Sequence, residues 1–208
     1  MRRTLLHEAF GGTALHSDLK WLNPPPAWRL DPCTSRLVVY PATPTDFWQR
    51  THYGIRSDNG HFLYADVSGD VVIAARIHSF PVHQYDQAGL MVRFSDECWL
   101  KTSVEFEPGA PSHLGSVVTN RGYSDWSLQD FLNDGIRGYC LRVRREREDY
   151  LVEYADDESS PWHLLRVAPL LAQPGRPVWA GLYACSPKGA GFRAEVEYLR
   201  IETSSPNP

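Results

Sequence analysis

The chain has 208 residues, of which 42% are hydrophobic and 22% are charged, a composition typical of a folded domain rather than a disordered chain. Its net charge is −4 and its Lys and Arg residues are spread along the chain, so a basic surface for nucleic acid or an anionic membrane is not expected. We therefore expect no nucleic acid and no membrane among its partners.

The N-terminal stretch and the cysteines both favour a cytoplasmic protein. In MRRTLLHEAF, His7 and Glu8 follow Leu5 and Leu6 at once, so the apolar core of a signal peptide is missing. No stretch approaches the roughly 18 apolar residues that a membrane helix needs. The four cysteines are far apart and form no CxxC pair, so we expect them to be reduced and free of metal.

The first predicted elements are short strands joined by turns. Aromatic residues make up 12% of the chain and occur with 16 Pro and 15 Gly, which favours an all-β protein. After an N-terminal segment over residues 1–20, the Pro-rich stretches LNPPPAWRLD and VVYPATPTDFW are expected to be ordered connections. Asn59-Gly60 predicts a hairpin turn into a strand, and Gly69-Asp70 predicts a hairpin between GHFLYADVSG and DVVIAARIHSF.

The rest of the chain predicts a series of further strands. DQAGLMVRFSD, CWLKTSVEFEPG and LGSVVTNRG have the pattern of a meander, and SDWSLQDFLND is predicted to hold one helical turn. The mixed-sign run Arg142–Arg147 predicts a solvated strand edge or a hairpin. About ten strands predict one domain over residues 1–208, a β-sandwich closed by its first and last strands, with a flexible tail at 203–208.

Side-chain alternation along these strands assigns the residues to two faces. In CWLKTSVEF, Leu100 and Val104 fall on the core face, and Trp99, Lys101 and Glu105 fall on the opposite face. The same phase in the neighbouring strands gives an outer face with aromatic and polar side chains: Gln87, Arg93, Trp99, Lys101, Glu105 and Tyr183. Such a surface suits a sugar ring, while cross-strand pairing beneath covering loops stays open as the alternative.

Four segments, taken in chain order, resemble a known family. TDFWQRTHYGIRSDNGHFLY, DQAGLMVRFSDECWLKTSVEF, LGSVVTNRGYSDWS and GLYACSPKGAGFRAEVEYLRI resemble the DUF1349 family, whose fold is a concanavalin A-like lectin/glucanase jelly roll and which includes the fungal regulation-of-enolase proteins. The resemblance runs from about residue 40 to residue 202. The segment DQAGLMVRFSDECWLKTSVEF is also similar to the C-terminal sandwich domain of some β-xylosidases.

The resemblance implies an all-β fold, a concanavalin A-like jelly-roll β-sandwich of two antiparallel sheets with a concave face that commonly binds carbohydrate. It implies no reaction, because the family is largely uncharacterised and fold alone does not define function. The positions that match the segments of the family are Asp46, Trp48, His52, Tyr53, Gly54, Asp86, Gln87, Gly89, Trp99, Lys101, Glu105, Asn120, Tyr123, Asp125, Trp126 and Ser127.

Few residue patterns in the chain point to catalysis or to metal binding, and no catalytic residue is assigned. The Glu-x-Asp-x-x-Glu pattern usual in glucanases of this fold is absent, and the pair Glu105/Glu107 fits a solvated strand face. His52 is a candidate acid or base with Glu105 as its partner, and a structural histidine is the alternative. We expect no cofactor and no metal.

One metal alternative stays open at the first strands. Asp58, Asp66 and Asp70 are carboxylates that could contribute to a bound Ca²⁺, although they lack the spacing of a calcium loop.

Three functions are compatible with these residues. The leading hypothesis is a cytosolic ligand-binding sandwich that holds a carbohydrate or small polar metabolite. The second is a cofactor-independent enzyme (an isomerase, cyclase, lyase or glycosidase-like protein) that uses the same cleft. The third is a protein-interaction regulator of metabolism, and both a protein partner and a homodimer stay open.

The predicted ligand-binding residues form two walls of a groove. Trp48 to Tyr53 form one wall, and Trp99, Lys101 and Glu105 form the other. The full predicted set is Trp48, His52, Tyr53, Gln87, Arg93, Trp99, Lys101, Glu105, Asn120, Tyr123, Trp126 and Tyr183.

Overall fold

The computed structural model describes residues 3–133, 135–173 and 175–203. Within this part of the chain there are seventeen strands, and there is no helix that could cross a membrane. In chain order the strands are β1 (Thr4–Glu8), β2 (Lys20–Leu22), β3 (Ala27–Asp31), β4 (Arg36–Tyr40), β5 (Phe47–Gln49), β6 (Arg56–Asp58), β7 (His61–Val67), β8 (Val71–Phe80), β9 (Gln87–Ser95), β10 (Cys98–Glu105), β11 (Ser112–Asn120), β12 (Tyr123–Phe131), β13 (Tyr139–Glu146), β14 (Asp149–Ala155), β15 (His163–Pro169), β16 (Val178–Cys185) and β17 (Arg193–Thr203).

Two antiparallel sheets pack against each other. The first sheet has the strand order β15-β14-β13-β8-β17-β4-β3, and β1 also pairs with β17. The second sheet has the order β12-β11-β10-β9-β16-β7-β2. β5 and β6 form a separate two-stranded hairpin. The expected all-β sandwich of two antiparallel sheets is confirmed, with more short strands than the sequence pattern indicates.

The core between the sheets follows from the alternation of side chains along the strands. Leu90, Leu100 and Leu182 of the second sheet are buried in one hydrophobic cluster with Ile77 and Leu141 of the first sheet. Burial of each such side chain contributes about 1.5–3 kcal/mol, so this cluster is the main stabilising feature of the fold. The core face predicted for β9, β10 and β16 is confirmed.

The predicted meander is confirmed, but the predicted helical turn after it is wrong. β9, β10 and β11 pair in sequence, and the chain continues directly into β12. Tyr123–Phe131, which contains most of SDWSLQDFLND, is an extended strand paired with β11 along its whole length. Pairing with β11 satisfies the backbone polar groups of β12, and this tertiary contact outweighs a local preference for a turn of helix.

Both predicted hairpin turns join strands that are not paired with each other. Gly69-Asp70 connects β7 in the second sheet to β8 in the first sheet. Asn59-Gly60 connects β6 to β7, whereas β6 pairs with β5, where Trp48 lies opposite Ser57. A turn sequence predicts that the chain reverses, but it does not determine which strands become neighbours.

The chain ends and the charged run occupy regular positions in the first sheet. β1 pairs with β17, with Leu6 opposite Ile201, so the first and last strands are neighbours, and β17 lies inside the sheet between β8 and β4. The run Arg142–Arg147 includes the turn of the β13–β14 hairpin, as predicted, but β13 is an interior strand with β8 on its other side. Of the tail predicted for 203–208, residues 204–208 lie outside the described residues.

Gly60 is required where the chain passes from the hairpin to the second sheet. A Cβ atom at this position would lie 2.4 Å from a ring carbon of Phe47 and 2.6 Å from Cys185 Sγ, and both side chains are buried. We expect Gly60→Ala to lower the free energy of unfolding by about 1–3 kcal/mol, because overpacking forces these neighbours apart. Urea denaturation measures this change.

The matched control is Gly11→Ala, where the nearest atom to a new Cβ is Ser35 Oγ at 3.6 Å, an ordinary contact distance. Equal losses of stability in the two variants would contradict the close packing of the hairpin on the sheet.

Candidate functional site

The β5–β6 hairpin covers part of the second sheet on the face that points away from the intersheet core. Phe47 and Trp48 of the hairpin belong to a second hydrophobic cluster that includes Met91, Trp99 and Tyr183 of the sheet. Trp99 is 0% exposed and Tyr183 is 2% exposed, and both rings meet Phe47 edge to face at 6.3 Å. The expectation that Trp99 and Tyr183 present open ring surfaces is therefore wrong, because the hairpin packs on them.

Two ion pairs, each with a buried cation and a partly exposed carboxylate, connect the hairpin segment to the second sheet. Arg93 donates to both carboxylate oxygens of Asp58, at 2.6 and 2.8 Å. Lys101 Nζ donates to Asp46 Oδ1 at 2.9 Å. The side chains of Arg93 and Lys101 are only 6% and 3% exposed. A buried cation needs a partner to offset the loss of hydration, so these two pairs hold the hairpin in place.

A cleft of about 380 Å³ opens beside the hairpin at one end of the second sheet. Its floor comes from the start of β9 and the end of β10, where Gln87 lies opposite Glu105. The cleft is lined by Pro44, Thr45, Asp46, Trp48, Tyr53, Ile55, Ser57, Asn59, Tyr85, Gln87, Lys101, Glu105, Val117, Trp126, Pro187 and Lys188. We call Gln87, Lys101 and Glu105 the polar floor, and Trp48, Tyr53 and Trp126 the aromatic wall.

A hydrogen-bond network orients the polar floor. Gln87 Oε1 accepts hydrogen bonds from Lys101 Nζ at 3.0 Å and from the Tyr183 hydroxyl at 2.9 Å. The Tyr183 hydroxyl is also bonded to Ser103 Oγ at 2.7 Å, and Gln87 Nε2 donates to the carbonyl oxygen of Tyr85 at 3.1 Å. Both lone pairs of the Gln87 amide oxygen are used, so Glu105 carries the free acceptor atoms of the polar floor.

Glu105 is a buried carboxyl group without a hydrogen-bond donor. It is 7% exposed, and no group in the described part of the chain donates a hydrogen bond to its carboxyl oxygens. Burial raises the pKa of Glu105 from 4.5 to about 7, against the opposing effect of the Lys101 ammonium, and the Asp46 carboxylate raises it further. Glu105 can therefore exchange a proton near neutral pH.

Lys101 keeps its charge in the same surroundings. Burial works against the ammonium form, but the negative charge of Asp46 and the hydrogen bond that Asp46 accepts, together with Glu105, outweigh it, so the pKa of Lys101 is raised. The floor thus combines a permanent cation with a carboxyl group that titrates.

The aromatic wall is held by contacts among its own rings. Trp48 meets Tyr53 at 5.4 Å and Trp126 at 6.2 Å, both edge to face, and Trp48 Nε1 donates to the carbonyl oxygen of Thr51 at 3.0 Å. Tyr53 is 51% exposed and stands at the opening. An apolar ring surface beside oriented polar groups is the combination that fits the face and edges of a sugar ring.

His52 lies in a shallow hollow next to the cleft. This hollow shares Trp48, Tyr53 and Trp126 with the cleft, and its other lining residues include His52. His52 is exposed, has a left-handed φ of 61°, and its ring meets the Tyr53 ring at 4.7 Å. Because His52 does not line the cleft that contains Glu105, the structure does not bring these two residues together as an acid–base pair.

The structure brings half of the predicted ligand-binding residues together. Trp48, Tyr53, Gln87, Lys101, Glu105 and Trp126 line the cleft. Trp48 and Tyr53 of one predicted wall and Lys101 and Glu105 of the other thus meet in one cleft, whereas His52 and Trp99 do not line it. Their contact with a ligand stays a prediction.

The other predicted residues lie outside the cleft lining. Arg93, Trp99 and Tyr183 are buried beneath the hairpin, and Tyr183 supports the polar floor from below. Asn120 and Tyr123 flank the β11–β12 turn, where Asn120 Nδ2 donates to the carbonyl oxygen of Pro169 at 3.0 Å and the Tyr123 ring packs against the Arg50 guanidinium at 5.1 Å.

Most of the cleft residues that were not predicted from the sequence lie in turns and loops. The missed residues are Pro44, Thr45, Asp46, Ile55, Ser57, Asn59, Tyr85, Val117, Pro187 and Lys188. Asp46 stands among the positions that match the family segments, and Tyr85 directly precedes the DQAGL strand, so both carry a sequence signal. Lys188, in the turn after β16, has no pattern that marks it in advance.

The structure shows no gathering of metal ligands in the part of the chain that it describes. No group of three or more His, Cys, Asp and Glu side chains is placed to hold a metal ion there. The acids considered for Ca²⁺ have other partners: Asp58 binds Arg93, Asp66 binds Lys20 at 2.8 Å, and Asp70 accepts the backbone N–H of Arg147 at 2.7 Å.

These features define an all-β sandwich whose second sheet carries a cleft between a polar floor and an aromatic wall. A family described as "Protein of unknown function (DUF1349)" matches residues 21–204, and the chain belongs to this family. The resemblance seen in the sequence is confirmed.

Known relatives agree with the family and the fold. The chain is 34% identical to Regulation of enolase protein 1 of Saccharomyces cerevisiae over 173 residues, 83% of each chain. A functionally unknown protein from Saccharomyces cerevisiae has a crystal structure that matches with a TM-score of 0.82 and 30% identity, over 92% of this chain and 98% of that chain. A GH43 protein from Bacillus licheniformis matches with a TM-score of 0.74 and 16% identity, over 95% of this chain and 39% of that chain, which shows the fold alone.

The raised pKa of Glu105 makes the stability of the protein depend on pH between 4.5 and about 7. In this window the folded protein holds a proton that the unfolded chain has lost, so the free energy of unfolding falls as the pH rises, by about 3 kcal/mol in total. Below the window both states are protonated, and above it the loss is complete. We expect Glu105→Gln to remove this decline, as measured by urea denaturation from about pH 4 to about pH 8.

The control is Glu107→Gln, whose carboxyl oxygens both accept from Gln84 Nε2 at 3.0 Å and which does not line the cleft. Both variants keep the titratable groups that surround Glu105, which are Asp46, Tyr85, Lys101, His113, Tyr183, Cys185 and Lys188. A Glu105→Gln profile that runs parallel to the unmodified protein would show that Glu105 does not titrate in this range.

Proposed function

We propose that the protein is a ligand-binding β-sandwich that takes a carbohydrate or a similar small polyhydroxylated metabolite into its cleft. The observation that carries this proposal is the buried polar floor beside the aromatic wall, both lining one cleft of about 380 Å³. That volume lies in the usual range of small-molecule sites, about 300–1,000 Å³.

Preorganisation of the site supports binding. The Lys101 ammonium is held by Asp46 and Gln87, and Gln87 is held by Tyr183, so the polar floor needs little ordering when a ligand enters. Side chains that are already ordered cost less entropy on binding. A sugar ring can place its apolar face on Trp126 while its hydroxyl groups reach the floor.

A cytoplasmic location forms part of this proposal. The four cysteines, Cys33, Cys98, Cys140 and Cys185, are all free, which supports a reducing compartment.

The aromatic wall provides the test of the proposal. We expect Trp126→Ala to weaken saccharide binding about tenfold, because a stacking surface worth about 1–1.5 kcal/mol is lost. Isothermal titration calorimetry against a panel of neutral, acidic and aminated saccharides measures the affinity. Tyr123→Ala is the control, because Tyr123 is on the same strand, is 61% exposed and lies outside the cleft. If no saccharide in the panel binds the unmodified protein, the proposal fails.

A second candidate function is regulation of an enolase through direct contact. It is favoured by the yeast relative, which is named for the regulation of enolase and is 34% identical over 83% of both chains. Exposed apolar side chains at Leu132 and Leu164, 89% and 59% exposed, offer surface for a protein partner. Titration of purified enolase from the same organism should give a measurable complex and altered enolase activity. Unchanged enolase kinetics at saturating concentrations would eliminate this candidate.

A further inference from the structure

The polar floor and Asp46 together carry an unbalanced negative charge when Glu105 is ionised. Asp46 and Lys101 neutralise each other across 2.9 Å. Lys101 also lies near Glu105, but its hydrogen bonds go to Asp46 and Gln87. Within the described residues, the Glu105 carboxylate therefore has no ion-pair partner and no hydrogen-bond donor of its own. A buried charge in this condition is costly and is stabilised by any cation that enters the cleft.

Lys188, the other cation that lines the cleft, does not pair with Glu105. Lys188 lines the rim, is exposed to solvent, and its ammonium packs over the Tyr85 ring at 5.6 Å from the ring centre. An exposed ammonium on a flexible side chain keeps most of its hydration and gives little stabilisation to a buried carboxylate. The cation that Glu105 lacks is therefore not supplied by the residues that line the cleft.

The remaining hydrogen-bond capacity defines what a ligand must offer. Gln87 Oε1 already accepts two hydrogen bonds, and Lys101 uses two of its three N–H groups on Asp46 and Gln87. The polar floor thus presents the Glu105 carboxyl, which accepts hydrogen bonds and favours a positive charge, together with one N–H donor of Lys101 and the second Nε2–H of Gln87. A ligand that matches this floor carries a cationic donor and, near it, an oxygen acceptor.

We propose that the cleft selects ligands that carry a protonated primary amine beside hydroxyl groups, such as an aminated sugar or an amino-polyol, and that Glu105 recognises the ammonium group. This inference rests on the proposed function and names the ligand class of the same site. The ammonium group donates to the Glu105 carboxylate, a hydroxyl oxygen accepts from Lys101, and the carbon skeleton lies against the aromatic wall.

Proton exchange gives the inference an independent signature. An ammonium group beside Glu105 favours its ionised form, so binding near neutral pH releases the proton that Glu105 partly holds in the free protein. A neutral sugar only displaces water from the cleft, which favours the protonated form and gives proton uptake or no change. The sign of the proton exchange therefore distinguishes a cationic ligand from a neutral one.

The experiment compares amine ligands with their hydroxyl analogues. Isothermal titration calorimetry slightly below neutral pH, where the amino groups are already protonated before they bind and Glu105 still holds its proton, uses the pairs glucosamine/glucose and 1-amino-1-deoxysorbitol/sorbitol in two buffers of different ionisation enthalpy. We expect each amine to bind about 10- to 100-fold more tightly than its analogue and to release protons, because a hydrogen bond to a charged group contributes about 1.5–3 kcal/mol. Glu105→Gln should reduce the affinity for the amine to that of the analogue, and Glu107→Gln should leave it unchanged.

The possible outcomes distinguish a failure of this inference from a failure of the proposed function. Neutral sugars that bind as tightly as the amines overturn the inference and leave the proposed function standing. Binding of neither class overturns both. An amine preference that survives in Glu105→Gln shows that another group recognises the ammonium and overturns the role of Glu105. If Glu105→Gln does not fold, Glu105→Asp replaces it, because this variant keeps the carboxylate on a shorter side chain. Glu105→Asp should bind the amine more weakly and still release protons on binding. Unchanged affinity of Glu105→Asp for the amine also overturns the role of Glu105.

Discussion

The ion pair between Lys101 and Asp46 is the contact on which the candidate site depends. Lys101 projects from β10 on the face opposite the intersheet core, and Asp46 immediately precedes the hairpin that covers this face. Removing one partner of a buried pair typically costs about 3–5 kcal/mol, because the other charge is left without compensation. The pair therefore joins the hairpin and the polar floor into one unit, and the cleft exists at the boundary between them.

The covering hairpin divides the aromatic residues of this face into two groups with different roles. Trp99 and Tyr183 lie beneath Phe47 and serve as packing, whereas Trp48 and Trp126 line the cleft. This division explains how a strand face rich in aromatic and charged residues can be mostly enclosed. Arg93 and Lys101 are paired with the hairpin segment, and the end of the face near Glu105 stays accessible to a ligand.

The sequence predicts where the strands lie more reliably than it predicts which strands pair with each other. Alternation in CWLKTSVEF assigned Leu100 to the core and Lys101 to the opposite face, because side chains alternate along any strand whatever its partner. The turn at Asn59-Gly60 was misassigned, because its residues specify a reversal and not the sheet that the next strand joins. The helical turn predicted near Trp126 is absent because pairing with β11, a contact that the local sequence does not specify, makes this segment a strand.

By itself, the sequence determined the all-β class, the family, the two faces of the strands and six of the sixteen residues that line the cleft. The class and the two faces follow from local composition and from a two-residue period, and the family follows from the resemblance of four sequence segments, none of which needs knowledge of distant contacts. Only the tertiary structure decided that the hairpin buries Trp99, that Asp46 pairs with Lys101, and that Glu105 is left buried without a donor. Burial and charge compensation depend on residues far apart in the chain, and they arise only when the second sheet and its hairpin come together.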